Sequence, residues 1–315
     1  MTEHVRPSHI EEIKISSREQ WLDMRKKDVT ASVVGALFGA HDYETPLGLY
    51  ASKTGVPMKD PDNAVLRRGR LLENAVATAF AEEHPGWSIE KADVYLRDPR
   101  VRLGATPDFF CRDPKGKRVV LQAKTVGASV FRNKWTEENP PFWITLQTLT
   151  ETMLDGADYG VVAALVVSEW NLDLYTYNVP RHEAGEKRIR DAVGDFWKNV
   201  AEKKPPNVDY SNDAALISVM YRRPKIGKLV DLTGDNRIIA CLEERAAEMI
   251  KRETAKRKVE ELEAEIKAKI GDAEAAIVPG WKVSWTLVEK EGFVVEPTTY
   301  RRLNARPQQM ENPES

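Results

Sequence analysis

Between Gly104 and Thr125 the chain reads GATPDFFCRDPKGKRVVLQAKT. Asp108 follows Pro107 at the head of one apolar segment, and Gln122 and Lys124 close another. Residues two apart on a strand project from the same face, so Gln122 and Lys124 share one. The Asp113-Pro-Lys-Gly116 turn folds the segment carrying Asp108 back toward them. Upstream, Glu73 in Gly69-Arg-Leu-Leu-Glu73 flanks the stripe formed by Leu72, Val76 and Phe80. Hydrolysis of a phosphodiester needs a hard divalent cation with oxygen ligands, which polarises the phosphate and activates a water. Asp108, the amide oxygen of Gln122 and the main-chain carbonyl of Ala123 are candidate direct ligands, and Glu73 is a candidate holder of a cation-bound water. Lys124 would orient that water or meet the developing negative charge. Taken singly, each of these residues reads as readily as ordinary surface or turn chemistry. Their order and context carry the weight. The departure is Gln122, an amide where a second carboxylate is expected. One negative charge fewer weakens the hold on a hard cation, yet Asp108 and Lys124 are both present, so the expectation is a variant site that still works.

The elements that must position these groups follow from pattern. Ser16-x-x-Glu19 fits a capping box ahead of Trp21, Leu22 and Met24. Thr30-Ala31-Ser32 opens a short helix through Phe38 that Gly39 closes. One short helix, LGLYASKTG, sits in the loop-rich stretch from Thr45 to Asp62, and an amphipathic helix covers residues 63 to 83. Strands are expected at 87–90, 94–97, around Phe109-Phe110 and at 118–123. A helix near 142–154, strands at 159–167 and 171–178, and a helix over 183–203 complete an α/β fold of mixed α+β type. Lys204-Pro-Pro-Asn marks a boundary, dividing a catalytic domain, 1–204, from an extension, 205–315. In the extension a charged helix over 236–270 carries Ile239, Leu242, Ala246 and Met249, then Val259, Leu262 and Ile266, at heptad spacing. Glu253 and Lys256 interrupt that seam, so packing at its two ends is expected rather than a continuous coiled coil. A terminal hairpin is expected from Trp281–Trp285 and a strand near 299–303.

Composition narrows the classes. The longest apolar run, Val161 to Val167, falls far short of the ~20 residues that span a bilayer, and the first residues lack the apolar stretch of a signal peptide. Cys111 and Cys241 show no metal-ligand spacing. A cytoplasmic protein without a membrane role is expected. With a net charge of −2, any nucleic-acid binding must come from local basic clusters. Arg67-Arg68-Arg70, Lys115/Lys117/Arg118 and Arg222-Arg223-Lys225-Lys228 are candidates, each equally readable as solvated surface. Phe131, Trp135, Phe142 and Trp143 read either as core or as a stacking platform for a frayed nucleic-acid end.

In this order, GRLLEN, ATPDFF and LQAKT resemble the PD-(D/E)xK nuclease superfamily. Within it, the likeness is to the phage lambda exonuclease and YqaJ-type viral recombinase group. Trp21-Leu-x-x-Arg25 with Val29-Thr-Ala-Ser32 is similar to that group's N-terminal segment, and Pro141-Phe-Trp-Ile-Thr-Leu-Gln147 to its glutamine-bearing helix. The resemblance covers about residues 18–180 by motif and the C-terminal helix and hairpin more loosely. It implies a central mixed β-sheet flanked by helices, with Asp108 and Gln122 as metal ligands, Lys124 as catalytic lysine and Glu73 as outer acid. It further implies a pocket for a 5′-terminal phosphate from Arg25, Ser32 and Thr106, and contact of Gln147 with the nucleotide. Without it, Arg25 reads as a surface salt bridge, Ser32 as a helix cap, Thr106 as a turn residue and Gln147 as satisfying a backbone group. The implied activity is Mg²⁺-dependent, with Mn²⁺ as substitute. It degrades one strand of linear double-stranded DNA from 5′ to 3′ and leaves 3′ tails for a single-strand annealing protein. A homo-oligomer, a ring included, and a phage or prophage origin belong to the same implication. Two other readings stand beside it: an endonuclease of restriction or repair type, and a catalytically silent DNA-binding scaffold.

Overall fold

The computed structural model describes residues 6–56, 64–289 and 300–305. Packing divides the chain after Met220. The first unit opens with β1 (Glu11–Lys14), α1 (Arg18–Lys27), β2 (Val29–Thr30) and α2 (Ala31–Val34), the last prolonged by a 3-10 turn. α3 (Pro46–Lys53) and the long α4 (Ala64–Glu83) follow. Five strands come next: β3 (Ser88–Lys91), β4 (Val94–Asp98), β5 (Leu103–Ala105), β6 (Phe109–Arg112) and β7 (Arg118–Gly127). α5 (Ala128–Lys134) and α6 (Phe142–Asp155) precede β8 (Tyr159–Val167) and β9 (Leu172–Pro180). α7 (Glu183–Ala201) and α8 (Ala214–Met220) close the unit.

The mixed α/β class is the expected one, and its centre is a five-stranded sheet in the order β3-β6-β7-β8-β9. β7 runs antiparallel to β6 and parallel to β8, and the other pairs are antiparallel. Alternation along β7 feeds two cores. Val119 and Leu121 pack toward Val76 and Phe80 of α4 on one face. Val120 and Val126 pack toward Ile144, Leu149 and Met153 of α6 on the other. The period of two therefore sends Gln122 and Lys124 to the α6 face. A smaller sheet, β1-β4-β5-β2, forms beside it. Its members β1, β2 and β5 escape sequence patterning because runs of two to four residues are too short to show a period.

The capping box expected on Ser16 and Glu19 forms one residue later. Ser17 Oγ accepts from Gln20 N at 3.1 Å, and the Gln20 amide oxygen reaches back to accept from Ser16 N and Oγ at 2.9 Å. Asp28, at the end of α1, is fully buried and takes Arg97 Nε at 2.8 Å and Tyr95 Oη at 3.1 Å, which ties α1 to β4. Residues 205–220 pack with the first unit, because Leu216 of α8 sits on Leu47 and Ala51 of α3 and Asp213 accepts from Thr45 Oγ1 at 2.5 Å.

In the second unit α9 (Asn236–Ile270) spans the range read from the sequence. Among the described residues the packing expected at its two ends is not made. No residue of α9 is buried, and Ile239, Leu242, Met249, Val259, Leu262 and Ile266 are all more than 40% exposed. A hairpin follows, but it pairs β10 (Ala275–Val278) with β11 (Trp281–Ser284) across Pro279-Gly280. The strand expected near 299–303 is not formed by Tyr300–Leu303, and Thr299 lies outside the described residues.

Gly160 of β8 shows how closely α6 is seated. A Cβ there would meet Thr148 Cγ2 at 2.5 Å and Thr152 Oγ1 at 2.6 Å. Gly160→Ala should therefore lower stability by about 1–3 kcal/mol, the range for overpacking a filled core. Chemical denaturation measures it, and an unchanged midpoint would show that α6 is not held at this distance.

Candidate active site

Asp108 sits just before β6, opposite the C-terminal half of β7. Its Oδ2 accepts from Ala123 N at 2.9 Å and from the side-chain amide of Gln122. Gln122, 2% exposed, turns its oxygen the other way and accepts from Gln147 Nε2 at 3.0 Å. Gln147 also donates to Glu151 Oε1 at 2.9 Å, and its own oxygen accepts from Lys124 Nζ at 3.1 Å. Asp108, Gln122, Gln147, Glu151 and Lys124 thus form one hydrogen-bonded chain across the interface between β7 and α6. Glu73 stands apart from it on α4, where its Oε1 accepts from Lys91 Nζ at 3.1 Å.

Two of the acids are held away from their ionised forms. Burial pushes the Asp108 carboxyl up to about 7, against Lys124 and helped by Glu73. Burial, with the field of Asp108, also holds Glu151 well above the carboxylate range. These acids are short of positive charge, and a cation at Asp108 would relieve that. Among the described residues no three His, Cys, Asp or Glu side chains gather as a metal-holding group. The available oxygen donors beside Asp108 are the Ala123 carbonyl and the Gln122 amide. The carbonyl faces the same side as the Ala123 N–H bound to Asp108, since the two groups of one extended residue point together. The Gln122 amide, by contrast, presents its nitrogen to Asp108, so it must turn to offer oxygen to a cation there.

A second cluster shares the same cleft, which measures about 1050 Å³. Arg25 Nη2 donates to Ser32 Oγ at 3.1 Å, and its guanidinium lies 4.5 Å from the Trp21 ring centroid. Trp21 Nε1 donates to Thr106 Oγ1 at 3.1 Å, and Thr30 Oγ1 lies 3.1 Å from Ser32 Oγ. The structure therefore brings Arg25, Ser32 and Thr106 together, and Arg25 has a hydroxyl and a ring as partners rather than a surface salt bridge. Sequence reading missed Lys53, whose Nζ donates to the Arg25 carbonyl oxygen at 2.5 Å. Burial lowers the pKa of both bases, and the neighbouring Arg25 charge helps bring Lys53 down to about 8. Their positive charge is incompletely met, the condition an anion would relieve.

Glu151 was missed as well. Its spacing, one helical turn beyond Gln147, was visible, but a glutamate in a helix signals a solvated face until the helix is known to be buried. Of the four aromatics, Trp135 is buried, Phe131 and Trp143 are half-buried against the core with Trp143 also lining the cleft, and Phe142 is 60% exposed.

Comparison with known proteins agrees with the motifs. Residues 20–147 match the YqaJ-like viral recombinase domain. The chain is 27% identical over 277 residues to the uncharacterized protein YqaJ of Bacillus subtilis (strain 168), covering 85% of this chain and 83% of that one. Among solved structures, the alkaline exonuclease LHK-Exo of Laribacter hongkongensis is similar at a TM-score of 0.47 and 16% identity, covering 63% of this chain and 98% of its own. The phage-related exonuclease of Haemophilus somnus 129PT gives 0.42 and 10%, covering 56% and 96%.

The raised Asp108 carboxyl has a consequence for stability. A raised folded-state pKa contributes stability that is full below the usual carboxylate range and lost as pH rises through about 7. Asp108→Asn keeps an acceptor without the charge. In EDTA it should raise the melting temperature more at pH 8 than at pH 5. An equal shift at both pH values would show that Asp108 is not held in this way.

Proposed function

We propose that this chain is a divalent-cation-dependent nuclease that engages the 5′ end of linear duplex DNA and degrades one strand from 5′ to 3′, leaving 3′ single-stranded tails. The observation that carries the reading is the convergence of two clusters in one cleft. The Asp108–Gln122–Lys124 group suits phosphodiester hydrolysis, and the Arg25–Ser32–Lys53 group suits a terminal phosphate. An enzyme that cuts within a strand has no use for the second group, and a silent scaffold has no use for the first.

Asp108 and the Ala123 carbonyl would hold Mg²⁺, with Mn²⁺ as substitute, Glu73 would reach it through water, and Gln122 would stay bonded to Asp108 and Gln147 instead of turning its oxygen to the ion. When bound, the ion supplies Lewis acidity and an activated water. Lys124 donates toward the charge that develops on the phosphate oxygens. Gln147, bonded to both Lys124 and Gln122, holds the two at a fixed spacing and can meet the nucleotide next to the scissile bond. Arg25 and Lys53 provide charge for the 5′ phosphate, while Ser32 and Thr106 provide hydroxyls. Requiring that phosphate in its pocket sets the polarity, because the bond presented to Lys124 is then the first one inward from the 5′ end.

The match to a viral recombinase domain supports a role in recombination. A single-strand annealing protein is the partner that would use the 3′ tails, and a homo-oligomer, a closed ring included, would keep an acidic protein on its DNA. No described helix is long and apolar enough to cross a membrane, and action on phage or prophage DNA places the reaction in the bacterial cytoplasm.

Lys124→Ala should lower turnover by at least about 100-fold, the usual cost of removing a group that stabilises developing charge, while duplex binding by gel shift stays near wild type. Normal turnover in that variant would remove the site assignment. Arg25→Ala should cut the preference for 5′-phosphorylated over 5′-hydroxyl ends by about 10–100-fold, the worth of one charged hydrogen-bonding contact. An unchanged preference in a competition assay would favour cutting within a strand.

A further inference from the structure

Glu151 is an odd residue to find where it is. It is 1% exposed, Oε1 accepts from Gln147 Nε2 at 2.9 Å, and Oε2 is buried without a partner. A buried carboxyl with half its acceptors unmet costs stability that an apolar side chain of similar size would not. Packing therefore gives no reason for it.

Its contact with Gln147 does. A side-chain amide has a donor end and an acceptor end of nearly the same shape, and only its partners decide which way it faces. Glu151 Oε1 takes a hydrogen bond from that amide, so it draws the NH₂ end of Gln147 inward. The same NH₂ group then reaches Gln122 Oε1 at 3.0 Å, and the Gln147 oxygen is left facing Lys124 Nζ at 3.1 Å. We propose that Glu151 is a positioning residue for the catalytic centre, fixing the sense of the Gln147 amide and through it the placement of Lys124 and Gln122. The inference rests on the nuclease reading and adds to it a residue that touches neither DNA nor cation. Burial and the nearby Asp108 hold Glu151 above the carboxylate range, and a neutral carboxyl keeps a carbonyl oxygen able to accept, so the role does not depend on its charge.

Two substitutions separate positioning from structure. Glu151→Leu removes the acceptor and the unmet oxygen together. It should lower kcat on end-labelled duplex by about 10–100-fold, the scale of losing one oriented polar contact at a reacting centre, with KM for DNA within about threefold. Its melting temperature in EDTA should equal or exceed that of wild type. Glu151→Gln, whose amide oxygen can still accept, should recover kcat to within about fivefold. In metal-free protein labelled with ¹⁵N-glutamine, the Gln147 side-chain amide signals should shift in Glu151→Leu and stay near their wild-type positions in Glu151→Gln. Wild-type protein without metal-dependent cleavage would overturn the nuclease reading and this inference with it. If wild type cleaves, any of three results overturns the inference alone: Glu151→Leu with wild-type kcat, an unmoved Gln147 signal, or a melting temperature well below wild type.

Discussion

The cleft depends on the close seating of α6 across β7 and β8, and on the rule that polar groups buried there must find one another. α6 is buried from Leu146 to Asp155, an unusual length for a helix that carries four threonines, a glutamine and a glutamate. Three of the threonine hydroxyls return to the helix's own carbonyls, from Thr148, Thr150 and Thr152 to Ile144, Leu146 and Thr148. That leaves Gln147, Glu151 and Asp155 as the buried side chains whose hydrogen bonds leave the helix or join one another, Asp155 taking Arg118 Nε of β7 at 3.1 Å. The partners of Gln147 on β7, Gln122 and Lys124, share a face because strand periodicity allows nothing else. The geometry of the centre is set by satisfying buried polar groups at this one interface.

Much of this was readable in advance. Asp108, Gln122 and Lys124 could be placed because a hairpin turn and a strand alternation are local rules. The α9 span could be placed because it is a long charged run free of Pro and Gly that Gly271 closes. What could not be read shares one cause, dependence on distant partners. Lys53 looks like any exposed lysine until α3 packs beside α1. Glu151 looks solvated until α6 is known to be buried. The short strands of the second sheet carry too few residues for a pattern, and the hairpin after α9 chose Ala275–Val278 as its partner strand, nearer in sequence than the one expected. Glu73 was expected to hold a cation-bound water; in the structure it acts on Asp108 electrostatically, and its hydrogen bond goes to Lys91.

Gln122 changes character once its contacts are known. From sequence it is a lost charge. In the structure its amide is a two-sided connector, donating to Asp108 and accepting from Gln147, which a glutamate could do only if protonated. The centre keeps two acids, Asp108 and the more deeply set Glu151, but joins them through two amides. Such a chain can change sense only if each member turns, so the contact between Gln147 and Lys124 helps keep the Gln122 nitrogen on Asp108.

In the proposed function one cleft joins a hydrolytic centre to a pocket for a 5′ phosphate. The most direct test is a time course of wild-type protein on linear duplex labelled at either the 5′ or the 3′ end, with and without a 5′ phosphate, in Mg²⁺ or in EDTA. The proposed nuclease should release the 5′ label early as mononucleotide, shorten the strand that carries the 3′ label slowly, react faster with the phosphate, and not react in EDTA. Internal fragments formed at the same rate with either kind of end, or cleavage that persists in EDTA, would contradict the proposal.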